Sequence, residues 1–246
     1  MPTGRRTDML VTLKEILNYA EANQCAIGAF HILSKDNLTA VLDAAQELRF
    51  PVIIMHSQEN EKKLPLANIG PLMVDMAEKA SVPVCVHLDH GMTINYIRQA
   101  LIIGFSSVTY DGSSLPYEEN IENTKTVVHM ASRRFASVEG VAPAGIPQQD
   151  VTEAVRGFID ATGISALACS YGALQHVNNT GSEFSVPLVM NGEPDISKDD
   201  YTQVIQHGVR KINCDSEIYY RDIAMLGIQA VTENAKKAIS LFGGIN

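Results

Sequence analysis

His87, Asp89 and His90 lie within four residues of one another, in the string His87-Leu88-Asp89-His90-Gly91. Two imidazoles and a carboxylate at this spacing can pass a proton near neutral pH or hold a metal ion. They end an apolar run, Val82 to Leu88, and stand just before a glycine and a helix start. Such a run reads as a strand buried on both faces. Strand alternation then puts His87 and Asp89 on one face and Leu88 and His90 on the other. A hydrogen-bonded polar cluster is the bland alternative. Three titratable groups in four residues favour a working site instead, because desolvating them is costly unless they react or bind.

The elements that carry this string follow a regular alternation. Thr12 and Glu15 form a capping box ahead of Leu13, Ile16, Leu17 and Ala20, which predicts an amphipathic first helix. Strands are predicted at Cys25 to Phe30, Pro51 to Met55, Val82 to Leu88, Ser106 to Tyr110, Phe135 to Val138, Ala166 to Cys169, Pro187 to Met190 and Arg210 to Asn213. Helical stripes separate them, with Thr93 and Asp150 as caps and Gly104 and Gly243 as stops. Only Cys169 to Val186 lacks a helical stripe, so a helix is expected to be missing or shortened between strands six and seven. Eight strands alternating with helices imply a single α/β domain over residues 1–246, a (β/α)8 TIM barrel with an extra N-terminal helix. A doubly wound sheet is the alternative, weakened by the absence of a glycine fingerprint after the first strand.

The chain carries 28 acidic against 19 Lys and Arg residues, a formal charge of -9. That balance argues against a nucleic-acid partner. No apolar run approaches the roughly 20 residues of a membrane span, so no membrane is expected. The four cysteines have no paired spacing and read as buried free thiols. A cytoplasmic protein is the plain expectation.

Barrel chemistry gathers at the carboxyl ends of the strands. There the sequence places His31, His56 with Ser57, Asp89 with His90, Asp111 with Ser113, Glu139, Tyr171 with His176, Asn191, and Asn213 with Asp215 and Ser216.

The strings Gly28-Ala-Phe30, His87-Leu-Asp-His-Gly91, Tyr110-Asp-Gly-Ser113, Leu115-Pro-Tyr-Glu-Glu-Asn-Ile121, Arg210-Lys-Ile-Asn213 and Leu241-Phe-Gly243 resemble the class II, zinc-dependent ketose-bisphosphate aldolases. The resemblance implies reversible aldol cleavage of a ketose phosphate, with a small carbohydrate-like substrate and homo-oligomeric assembly. Zinc would polarise the ketose carbonyl and stabilise the enediolate left by cleavage. Asp89 matches the carrier of the substrate hydroxyl proton, and His90 matches a zinc ligand. Ser57, Asp111, Gly192, Asn213, Asp215 and Ser216 match substrate-binding positions.

The sequence departs from the family pattern on its far side. The second zinc histidine falls on Gln175, with His176 one residue late, and the third on Asn191. His176, and also His31 and His56, are then the candidates to complete the metal site. Gln149 replaces the second acid/base, and Gly192-Glu-Pro-Asp195 replaces a glycine-rich phosphate loop. Two readings follow. One is an aldolase with an altered metal site. The other is a catalytically silent paralogue that binds a metabolite or a partner subunit.

Overall fold

Eight parallel strands close on themselves in chain order, the last pairing with the first. A computed structural model describes residues 9–141, 151–169, 184–192, 196–214 and 223–245. The strands are β1 (Ile27–His31), β2 (Val52–Ser57), β3 (Val84–Gly91), β4 (Ser107–Tyr110), β5 (Ser137–Val141), β6 (Ala166–Ala168), β7 (Leu188–Asn191) and β8 (Val209–Cys214). The helices around them are α1 (Leu13–Ala22), α2 (Lys35–Leu48), α3 (Leu66–Lys79), α4 (Ile94–Ile103), α5 (Tyr117–Ser132), α6 (Val151–Thr162), α7 (Lys198–Gln206) and α8 (Ile223–Gly243). The α/β barrel expected from the alternation is therefore the fold, and an open doubly wound sheet is not. The stretch between β6 and β7 that carried no helical stripe lies mostly outside the described residues, as does the Asp150 cap.

Local chemistry sets the helix ends. At α1 the capping box forms in full: Glu15 N–H donates to Thr12 Oγ1 at 3.2 Å, and Thr12 N–H donates to Glu15 Oε2 at 2.7 Å. Thr93 caps α4 through Tyr96 N–H, and Gly104 ends it at φ 115°, a conformation that suits glycine. The first helix precedes the first strand and buries Leu13, Ile16 and Leu17 against the starts of β1, β3, β5 and β8. It floors the barrel, so only the opposite end remains for a cleft.

The register gives the interior rows. Ser57 pairs with Asp89, Met55 with His87, His87 with Ser107, and Thr109 with Glu139. Across the closure Ile27 pairs with Lys211 and Ala29 with Asn213. Branched apolar side chains usually fill such a barrel. Here His87, Ser107, Thr109, Glu139 and Lys211 are all buried inside it.

Two details differ from simple strand alternation. β3 runs on to Gly91, and its pairing with β4 slips between Leu88 and Gly91. His90 sits at that bulge with φ 47°. The left-handed turn carries its ring back toward Asp89 instead of leaving it on the opposite face.

Candidate active site

Two layers of polar side chains fill the upper barrel. In the lower layer, Lys211 Nζ donates to Glu139 Oε2 at 2.8 Å and lies 3.3 Å from His87 Nε2. His87 Nδ1 meets Ser107 Oγ at 2.8 Å, and Thr109 Oγ1 lies 2.8 Å from His87 Nε2 and 3.3 Å from Glu139 Oε1. With the ammonium donating to Nε2, the proton of a neutral His87 belongs on Nδ1 and goes to Ser107. Burial and the nearby Lys211 charge hold His87 far below its usual range. Burial pushes the Glu139 carboxyl up, against the opposing pull of Lys211. Donor atoms of His87, Asp89 and Glu139 lie within 4.8 Å of one another, a spacing that suits a metal ion. The Lys211 ammonium already sits against two of these three groups. The layer thus carries its own cation, and its hydrogen bonds are internal.

The upper layer is different. His31 Nε2 approaches Asp89 Oδ2 at 2.9 Å, and His90 Nε2 approaches the same oxygen at 3.7 Å. On its other side, His90 Nδ1 lies 3.6 Å from Asp111 Oδ2. Ser113 fixes Asp111, donating from its N–H at 3.1 Å and from its hydroxyl at 2.7 Å. Asp89 is 2% exposed, whereas the His90 side chain is 42% exposed. Burial opposes ionisation of Asp89. The His31 hydrogen bond and the His31, Lys211 and His90 charges outweigh it and hold the carboxyl well below its usual range. His90 is raised to about 9 by Asp111 and Asp89, and Asp111 is lowered to about 2 by His90 and Ser113.

Other expected site residues are placed as follows. Ser57 is buried in the row of Asp89, its Oγ accepting from Glu59 N–H at 3.2 Å. Asn213 Nδ2 donates to Asn191 Oδ1 at 3.0 Å, while Asn213 Oδ1 is buried without a partner among the described residues. An orphaned buried acceptor of this kind suits a ligand hydroxyl. Gly192 N–H donates to Asn213 O at 2.8 Å, and the glycine is packed against Asn213 O, the Tyr201 hydroxyl and Ile212.

His56 does not join the cluster. It shares its strand row with Leu88, faces the helices, and meets Tyr96 Oη at 3.0 Å. Tyr96 in turn donates to Glu61 at 2.6 Å. Burial lowers His56 to about 4. Gln149, Gln175, His176, Glu193, Asp195, Asp215 and Ser216 lie outside the described residues.

Lys211 was not singled out among the candidate residues of the sequence. Its signal is a pair of cations, Arg210 and Lys211, inside a buried strand that is apolar apart from them and Asn213. Arg210 turns outward to Glu21 at 2.6 Å, and Lys211 turns in.

The upper layer also brings imidazole and carboxylate donors together, although the group of three whose donor atoms all lie within 4.8 Å among the described residues is His87, Asp89 and Glu139. Two imidazole nitrogens converge on one carboxylate oxygen, and imidazole with carboxylate is a zinc-type combination. The field of Asp89 and Asp111 that keeps a proton on His90 would equally favour a cation in its place.

Comparison with known proteins agrees with this fold. The family model described as "Fructose-bisphosphate aldolase class-II" matches residues 11–242. A "6-phospho-5-dehydro-2-deoxy-D-gluconate aldolase" of Halalkalibacterium halodurans is 32% identical, over 95% of this chain and 96% of that protein. One of the same name from Bacillus subtilis is 36% identical, over 84% and 80% respectively. The crystal structure of the YdjI aldolase from Escherichia coli K12 superposes with a TM-score of 0.85 at 29% identity, covering 96% of this chain and 98% of that one.

Proposed function

The chain belongs to the class-II fructose-bisphosphate aldolase family, and from that premise we propose that it catalyses reversible aldol cleavage of a phosphorylated ketose at the rim of its barrel. The observation that carries the reading is the shared Asp89 oxygen, flanked by His31 and His90 and removed from bulk water.

In the cleavage direction Asp89 accepts the proton of the hydroxyl on the carbon β to the carbonyl. The carbon–carbon bond then breaks and its electron pair moves to the carbonyl side. In the reverse direction the same proton returns. His31 keeps the accepting carboxylate ionised and oriented through its 2.9 Å contact. His90 would hold zinc, with His176 as the further candidate, while His31 Nε2 is taken up by Asp89. Bound zinc would supply Lewis-acid polarisation of the ketose carbonyl. Ser57, Asp111, Gly192 and Asn213 would line the substrate, and the orphaned Asn213 carbonyl would accept a sugar hydroxyl. Asp215 and Ser216 are assigned to the same role on the resemblance alone. Homo-oligomeric assembly in the cytoplasm belongs to this reading too. Among the described residues no helix is long and apolar enough to cross a membrane.

Metal uptake tests the cation half of this reading. After chelator treatment and dialysis, the protein is expected to bind zinc stoichiometrically by calorimetry, and His90→Gln to lose that binding. A folded protein that takes up no zinc would remove the metal from the account.

A further inference from the structure

A cavity of about 410 Å³ opens between the start of α7 and the last turns of α8, formed by none of the residues assigned above to catalysis or binding. Its walls are Lys198, Lys236, Lys237, Ser240, Leu241, Gly244 and Ile245. Among the described residues, three ammonium groups and a hydroxyl line it, with no carboxylate, on a chain whose formal charge is -9. Chance would favour the opposite sign.

The three lysines are not equivalent. Lys236 is paired to Glu47 and, at 3.0 Å, to Glu233, two carboxylates that lie outside the wall. That pairing fixes Lys236 in place and leaves Lys198 and Lys237 as the charges facing a ligand; both are exposed, and neither has an ion pair with a described residue. Leu241 and Ile245 add an apolar strip suited to a carbon skeleton.

We propose that this cavity is a second binding site that takes a small phosphorylated metabolite. Lysine ammoniums bind phosphate as point charges, and the volume falls in the range of small-ligand pockets. The position links it to the barrel end. One turn beyond Lys198, the Tyr201 ring packs on Phe242 with centroids 5.1 Å apart. Its hydroxyl stands where a Cβ on Gly192 would come within 3.1 Å. A ligand bridging Lys198 to Lys237 therefore ties α7 to α8, one turn from the Tyr201 that packs against Gly192 at the end of β7.

Lysine acetylation read by peptide mass spectrometry tests the site on the intact protein, with inorganic pyrophosphate as the probe. Pyrophosphate is expected to slow labelling of Lys198 and Lys237 at least fivefold, while exposed Lys79 and Lys125 label at unchanged rates. Sodium chloride at matched ionic strength is expected to give no such protection, and protection is expected to persist in Asp89→Asn, so that failure of the catalytic reading leaves this result intact. Calorimetry should show at least tenfold weaker pyrophosphate binding in the Lys198→Gln/Lys237→Gln double variant. Equal labelling with and without pyrophosphate, or protection matched by chloride, would overturn the proposal.

Discussion

The two polar layers of the barrel both set imidazoles against carboxylates and yet do opposite things. The lower one, His87, Glu139 and Lys211 with Ser107 and Thr109, is fully enclosed and contains its own cation. The upper one, His31, Asp89, His90 and Asp111, reaches the open end, and its carboxylates lie against imidazoles, with no ammonium of the described residues in ion-pair contact. Burial alone therefore does not mark a catalytic residue. The useful distinction is whether a cluster satisfies itself or leaves room for something to be added.

Breaking the lower layer should give the largest effect on folding. Lys211→Met leaves Glu139 and His87 buried without their cation, and removing one partner of such a pair costs about 3–5 kcal/mol. A thermal scan should show a fall on the order of 10 °C for a chain of this size. Glu139→Gln in the same background should recover part of it. A change of only a degree or two would mean that the lower layer is not a closed unit.

Loss of an upper-layer partner should act on rate instead. His31→Phe removes the contact that orients Asp89, and kcat is expected to fall about 10- to 100-fold with a much smaller change in melting temperature than Lys211→Met gives. Equal loss of stability in both variants would erase the distinction between the layers.

Asn213→Ala deletes the orphaned acceptor at the edge of the upper layer. We expect KM to rise about tenfold with kcat nearly kept, the signature of a lost substrate hydrogen bond. A fall in kcat alone would move Asn213 out of that role.

The smallest effect is on pH dependence. His90 in the metal-free protein is raised to about 9, so its contribution to stability is fully present below about pH 6.5, the ordinary histidine value. It is lost as pH rises through about 9. Denaturant midpoints should decline over that interval and decline less in His90→Gln. Asp111 works in the other direction: it is held at about 2, and its contribution disappears only as pH falls from about 3.8 through 2.

Most of the barrel was legible because parallel strands buried on both faces and capped amphipathic helices leave period-specific patterns. The strand ends read from the sequence fall within a few residues of those observed, and Thr12, Thr93 and Gly104 mark helix ends as expected. The site was legible only as types and places. Nothing local says that Lys211 meets Glu139, 72 residues away in the chain. The parity of a strand end was equally hidden: of His56 and Ser57, the row facing Asp89 belongs to Ser57. The bulge that returns His90 to Asp89 is a backbone choice at a single residue, which alternation cannot foresee.

The central claim is that the upper layer performs aldol cleavage through Asp89. Its most direct measurement incubates the zinc-loaded protein with a panel of ketose monophosphates and bisphosphates and follows release of the aldehyde or triose phosphate. The account expects cleavage of at least one member, reduced by about 10²- to 10⁴-fold in a folded Asp89→Asn variant. Cleavage unchanged by that substitution, or none from a folded and zinc-loaded wild-type protein, would contradict it.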